Sequence, residues 1–554
     1  MNAQWKKSTI YQIYPKSFYD SNGDGIGDIQ GIISKLSYLA DLGVDYLWIT
    51  PMYKSPQYDN GYDIADYYAI DPMYGTMDDF DELVTKAHEK GLKIMMDIVV
   101  NHTSTEHQWF QEAKKDLTNK YRNYYIWKNG KGVSEPTNWQ SKFGGSAWAK
   151  TPETEEYYLH LFDERQADLN WENEELRKEI YKMMRWWLEK GVNGFRLDVV
   201  NLLSKSHDFK DDTLENAQAD GRKYYTDGPK IHMYLQEMNR EVFAKFPGTL
   251  TAGEMSSTTI EQCIEYTKPE NKELDMVFNF HHLKVDYLKL EKWSNAKVDY
   301  KQLKELICTW QKGMQTGNGW NALFLSNHDQ PRAISRFVNP QKYHFEGATM
   351  LAIMMSALQG TPYIYQGEEF GMLNPEFTEI SEYRDIEAIN HYDILQKKGF
   401  SKDETLEILR LKSRDNSRTP LQWNNTQNAG FTTGIPWINV GKNYRNINAA
   451  EDEKSAKSIR KFYQKLIALR KTESLLMTGE FEYIQTAPEI FAYNRIGVDE
   501  QLLVIVNLSE KGQPIPIIAD NIGMNEIILS NYRQVDIPSK LMPYEALIIK
   551  KTKR

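Results

Sequence analysis

Three acids each close a short apolar run. Asp198 ends Gly194-Phe195-Arg196-Leu197-Asp198, Glu254 ends Ala252-Gly253-Glu254, and Asp329 ends Ser326-Asn327-His328-Asp329. A fourth run, Asp97-Ile98-Val99-Val100-Asn101-His102, carries an acid, an amide and an imidazole. Converging acids with an Arg and two His suit glycoside cleavage. That reaction needs one carboxylate to attack the anomeric carbon and one protonated carboxyl to give the leaving oxygen its proton. Arg196 lies two residues before Asp198, so in a strand both side chains face the same side, and its charge would keep Asp198 ionised as nucleophile. Glu254, surrounded by acids, is the group whose pKa is expected to rise, as an acid/base catalyst requires. Asp329 would stabilise an oxocarbenium-like transition state and bind sugar hydroxyls. Each acid alone reads more simply as a surface or salt-bridged carboxylate; four strand ends aimed at one place favour function.

The elements that must position these residues follow from the apolar pattern. Eight runs rich in β-branched and aromatic residues (8–14, 44–50, 92–99, 193–198, 250–254, 275–279, 321–325 and 362–365) alternate with amphipathic stretches such as 32–39, 78–90 and 174–190. Such alternation predicts parallel βα units. Eight of them predict an α/β fold, a (β/α)8 TIM barrel, with its active site at the C-terminal ends of the strands. Thr76 and Asp79 form a candidate capping box before the second helix. The stretch 103–170, rich in Trp, Tyr, Gly and Asn, is too long for a plain connection and is expected to be an inserted subdomain. Residues 1–102 and 171–473 then form the barrel, with a second rim insertion at 371–448. Strand-like runs at 481–484, 490–493, 502–506 and 546–549 predict a C-terminal antiparallel β domain over 474–554.

A formal net charge of −10 over 554 residues argues against nucleic acid as the main partner, because phosphate backbones bind Lys/Arg excess. No run is long and apolar enough to span a bilayer, and the first residues lack the apolar core of a secretory signal. Cys263 and Cys308, the two cysteines, have neither metal-site nor CxxC spacing and read as reduced thiols. A cytoplasmic protein acting on a small molecule is expected.

The runs ending at His102, Asp198, Glu254 and Asp329 resemble the four signature regions of the α-amylase family, glycoside hydrolase family 13. Gln166-Ala167-Asp168-Leu169-Asn170 resembles the further region marking its oligo-1,6-glucosidase branch. The resemblance covers nearly the whole chain. It implies a retaining double displacement with Asp198 as nucleophile, Glu254 as acid/base and Asp329 as transition-state stabiliser. It also implies that Asp59, Tyr62, His102, Arg196, His328 and Arg418 hold the cleaved glucose. Phe143 and Phe162 are candidate platforms, although an aromatic is more often core.

The loop 20–28, Asp-Ser-Asn-Gly-Asp-Gly-Ile-Gly-Asp, alternates oxygen-bearing residues like the first half of a calcium loop, but Gly31 stands where a closing Glu would be. The loop alone is equally readable as a solvated turn. The resemblance implies a structural Ca2+ or Mg2+ held by Asp20, Asn22, Asp24, Asp28 and the Ile26 carbonyl, with no catalytic cofactor.

The branch takes several glucosides. The stretches 104–107, 143–148, 221–229 and 278–286 are similar to its members that act on a phosphorylated disaccharide, trehalose 6-phosphate. Members that cleave α-1,6 bonds carry acids where this chain has His281 and Lys284. Exchanging acids for cations removes repulsion toward a phosphate dianion and adds charge-assisted bonds. Lys284 with His281 or His282 is therefore expected to contact phosphate; Arg222 and Lys223 read more simply as solvated cations. An oligo-1,6-glucosidase and a sucrose or trehalose glucosyl isomerase stay open as alternatives. A transporter heavy-chain-like partner protein is disfavoured, because such chains carry a membrane span and many lack the acids.

Overall fold

The computed structural model describes residues 4–213, 220–289, 291–515, 525–533 and 536–552. Eight parallel strands form the barrel: β1 (Ile10–Ile13), β2 (Tyr46–Ile49), β3 (Lys93–Ile98), β4 (Gly194–Leu197), β5 (Leu250–Glu254), β6 (Met276–Phe278), β7 (Ala322–Leu323) and β8 (Thr361–Tyr365). They pair in chain order, and β8 returns to β1 with Ile10 opposite Tyr363. A parallel bridge between Val277 and Asn321 joins β6 to β7 and closes the ring. Every expected run overlaps one of these strands. They were readable because strands covered on both faces are apolar throughout; β1, β2, β4, β5 and β8 are buried at every residue.

Local signals set the helices around the barrel. Ile29–Leu42 starts at Asp28, whose side chain accepts from Gly31 N, and stops at Gly43 in the left-handed region (φ 93°). Its apolar residues Ile29, Ile32, Leu36 and Leu39 recur at helical spacing and face the strands. Met77–Glu89 opens with the Thr76/Asp79 capping box, both bonds of which are present. Glu174–Glu189 starts at Asn173, which accepts from Glu175 N and Leu176 N.

Beyond β3 the chain builds small sheets. Trp127–Lys128, Tyr157–Leu159 and Trp148–Lys150 form one, and Gln166–Asp168 pairs antiparallel with His102–Ser104, tying this region to the end of β3. After β8, the helices Ile386–Lys397 and Lys402–Lys412 lie on the same rim. The last sheet contains β9 (Glu480–Ile484), β10 (Ile490–Ile496), β11 (Glu500–Asn507), β12 (Asn525–Ser530) and β13 (Ala546–Thr552), ordered β9-β10-β11-β13-β12 and antiparallel. Phe491, Tyr493, Val504 and Ile548 pack with Met350 and Met354 of the barrel helix Pro340–Ser356. Among the described residues no helix is long and apolar enough to cross a membrane.

Candidate active site

The C-terminal ends of the strands open into a cleft of about 420 Å3, within the size class of small-ligand sites. Asp198, Glu254 and Asp329 line it, with Asp59, Tyr62 and His102. Arg196 lies beneath them, 1% exposed. Its Nη1 donates to Asp198 Oδ1 (2.6 Å) and Asp97 Oδ1 (2.8 Å), and its Nη2 to Glu254 Oε2 (2.5 Å). One guanidinium therefore holds three acids from three adjacent strands. Asp97 is fixed further by Tyr62 Oη (2.9 Å) and Trp48 Nε1 (3.2 Å).

After Asp198 the backbone turns sharply. Val199 takes φ 35°, ψ 40°, a left-handed conformation that a β-branched residue adopts only under strain, at roughly 1–3 kcal/mol. The turn aims Val199 N at Glu254 Oε2 (3.2 Å).

Across the cleft Asp329 is gripped by Arg418 Nη2 (2.6 Å) and, more loosely, Arg414 Nη1 (3.4 Å). His328 Nε2 stands 3.2 Å from it. Gln12 Nε2 donates to His328 Nδ1 (2.7 Å), and the Tyr62 ring stacks on the imidazole at 5.2 Å.

These environments separate the three acids. Burial, with the nearby charges of Asp198 and Asp329, pushes Glu254 up to about 8 despite Arg196. Burial also lifts Asp198, but Arg196 opposes it and the group stops at about 6. For Asp329 the burial penalty is outweighed by His328, Arg414, Arg418 and Arg196, which hold it well below the usual carboxylate range. At neutral pH these three acids are thus one protonated carboxyl and two carboxylates, the division of labour that acid/base and nucleophilic roles require. The rise of Glu254 was foreseen, with burial rather than neighbouring acids as its main cause.

The expected sugar-binding residues divide by depth. Asp59, Tyr62, His102, Phe143 and Phe162 line the cleft. Arg196, His328 and Arg418 are buried under it and reach it through the acids they hold.

Two expected phosphate contacts need correction. His282 is turned inward, with Nε2 2.8 Å from the Phe324 carbonyl and its ring against Phe324. His281 packs on Trp310 at 4.8 Å, and burial lowers its pKa to about 4, leaving it uncharged. Lys284 does line the cleft, and so does Arg222, paired with Asp220. Lys223 pairs with Asp212 at 2.6 Å.

Several lining residues were missed. Lys142 places Nζ 3.2 Å from Ser256 Oγ. Arg414 Nη2 reaches Asp59 Oδ1 (3.2 Å), while its Nε donates to Asp385 Oδ1 (3.0 Å). Gln166, close behind the lining, donates from Nε2 to Asp59 Oδ2 (3.1 Å).

In loop 20–28, Asp20, Asn22 and Asp24 each accept from the backbone N–H two residues on (3.0, 2.9 and 2.9 Å). Asp28 Oδ2 accepts from Ser21 N and Oγ. A side chain at Gly25 would meet the Ile435 carbonyl at 1.8 Å, so the loop's path needs glycine there. Its donors are all oxygen, the chemistry that suits a hard cation. Among the described residues no three His, Cys, Asp or Glu side chains form a metal-holding group, so an ion here would also depend on the Asn22 amide oxygen and the Ile26 carbonyl.

The family described as "Alpha amylase, catalytic domain" matches residues 12–479. The chain belongs to the α-amylase family. Among relatives in this family, the trehalose-6-phosphate hydrolase of Bacillus subtilis is 54% identical, covering 99% of this chain and 98% of its own. The oligo-1,6-glucosidase of Parageobacillus thermoglucosidasius is 48% identical over the same shares. The crystal structure of the Bacillus licheniformis trehalose-6-phosphate hydrolase superposes with a TM-score of 0.94 at 53% identity, covering 99% of this chain and 100% of that one.

Proposed function

We propose that this member of the α-amylase family hydrolyses the α-1,1 bond of trehalose 6-phosphate to glucose and glucose 6-phosphate, with retention at the anomeric carbon. Asp198 attacks that carbon as Glu254 protonates the leaving oxygen, Glu254 then deprotonates the water that displaces Asp198, and Asp329 stabilises the positive charge that develops in both transition states. Asp198 and Glu254 bond to the two Nη atoms of one guanidinium. That arrangement suits the close spacing of a retaining pair, about 5–5.5 Å, rather than the wider gap an inverting enzyme needs for water. Asp59, His102 and the residues behind them bind the glucose whose bond is cut.

One observation carries the choice of substrate. Lys142, Arg222 and Lys284 all line the cleft and repel one another; the pKa of Lys142 falls to about 8, through burial first and then Arg222 and Lys284. Among the described residues neither Lys142 nor Lys284 forms an ion pair with a carboxylate, whereas Arg222 has Asp220. Crowded cations on one wall of an acidic protein are unfavourable until an anion joins them, and a 6-phosphate on the leaving glucose supplies two negative charges. A sugar phosphate does not cross a bilayer unaided, so the enzyme would act in the cytoplasm. Trehalose 6-phosphate should be hydrolysed in preference to trehalose, isomaltose and sucrose; preference for isomaltose would overturn the substrate and leave the catalytic roles standing.

The acid limb of kcat/KM should follow ionisation of Asp198, rising through pH about 6, and the alkaline limb deprotonation of Glu254, falling through about 8. A profile still rising above pH 9 would contradict Glu254 as the acid. The Ca2+ or Mg2+ assigned to Asp20, Asn22, Asp24, Asp28 and the Ile26 carbonyl would stabilise the fold and take no part in bond cleavage. EDTA should then lower Tm by several degrees and added Ca2+ restore it, while an unchanged Tm would remove the ion from the account.

A further inference from the structure

We infer that Lys205 and Asp168, outside the cleft, are positioning residues that together fix, through Asn101, which ring nitrogen of His102 carries the proton. Lys205 is 6% exposed and follows the turn beyond Asp198. Its Nζ lies 2.7 Å from Asn101 Oδ1 and 2.8 Å from Asp168 Oδ1. An ammonium only donates, so the Asn101 amide must turn its oxygen to Lys205. Its Nδ2 then faces Asp168 Oδ1 (3.1 Å) and His102 Nδ1 (3.2 Å). Nδ1 can meet an N–H only as an acceptor, and the proton of the neutral ring is left on Nε2. There it points to the Tyr62 carbonyl at 3.1 Å.

A second amide opposes this outcome. Gln166 Oε1 accepts from Asp163 N (3.0 Å), and its Nε2 donates to Asp59 (3.1 Å). That orientation brings Gln166 Nε2 to 3.2 Å from His102 Nε2. With the proton on Nε2, the contact joins two donors and is only van der Waals. With the proton on Nδ1, Gln166 would gain a hydrogen bond while Asn101 would face N–H with N–H. Lys205 and Asp168 decide the competition, because together they forbid Asn101 from flipping, and the Tyr62 carbonyl, which can only accept, sides with them. Burial holds the ring neutral, at a pKa of about 4, so the two tautomers are the states between which it chooses. His102 lines the cleft, so the choice determines whether Nε2 offers substrate a donor or an acceptor.

The test is ring 15N spectroscopy of histidine-labelled protein, with the His102 signal assigned by comparison with His102→Gln. The wild type should show a protonated Nε2 and a bare Nδ1. Lys205→Met combined with Asp168→Asn removes both holds on Asn101, so the Nδ1-protonated form should gain population and kcat/KM fall about tenfold, the scale of one hydrogen bond. Lys205→Met alone leaves Asp168 against Asn101 Nδ2 and should keep the wild-type signal. Asn101→Asp tests the same point with Lys205 in place, because a carboxylate beside Nδ1 should draw the proton there. A bare Nδ1 in either the double variant or Asn101→Asp, or a protonated Nδ1 in Lys205→Met alone or in the wild type, overturns the inference.

Discussion

Asp198→Asn should lower kcat by at least about 10^4-fold on every substrate, because the amide cannot form the covalent intermediate while the rest of the site stays assembled. Asn keeps the oxygen that accepts from Arg196 Nη1, so loss of activity would not reflect collapse of the strand ends. Stability should respond in the opposite direction. The folded-state pKa of Asp198 is raised from 3.8 to about 6, so between those values the folded protein binds the proton more tightly than the unfolded chain. Stability therefore falls as pH rises through that window, and at pH 7 the whole penalty is present. The neutral amide removes it, and Tm at pH 7 should equal or exceed that of the wild type. The charge of Asp198 also helps raise Glu254, so any residual activity should lose its alkaline limb at lower pH. Activity near the wild-type level would refute the nucleophile.

Lys284→Ala should raise KM for trehalose 6-phosphate about 10–100-fold, the scale of one charge-assisted hydrogen bond. KM for p-nitrophenyl α-glucoside, which has no phosphate, should stay within about twofold. The substitution also relieves repulsion on Lys142, whose own pKa should rise. Equal losses on both substrates would mean that Lys284 shapes the cleft without reading phosphate.

The barrel and the three acids were legible because both depend on short-range sequence. A strand buried on both faces is a continuous apolar run, and a polar residue at the end of such a run stands out. Arg196 could be assigned because it sits two residues from Asp198 on one strand. Residues brought in by other loops gave no such signal. Gln166 meets Asp59 across 107 residues and Arg414 meets it across 355, distances at which spacing says nothing. Lys142 was hidden beside the aromatics and glycines of 143–148.

The histidines failed for a different reason. His281–Leu283 is a turn of 3-10 helix, in which consecutive side chains diverge by about 120°. Nearness in sequence to Lys284 therefore did not bring His282 to the same wall, and His281 found Trp310 instead. Arg222 was underrated because a cation in a polar loop is usually solvated; only the folded rim brings it to Lys142 and Lys284.

The most direct test is the ratio of kcat/KM for trehalose 6-phosphate to that for trehalose, measured with one purified protein and with isomaltose alongside. The two sugars differ only in the phosphate, so the ratio isolates the cations of the cleft wall. Two charge-assisted bonds, at roughly 1.5–3 kcal/mol each, predict a preference of about 10^2–10^4-fold. A ratio near one, or isomaltose turned over as well as the phosphorylated sugar, would contradict the account.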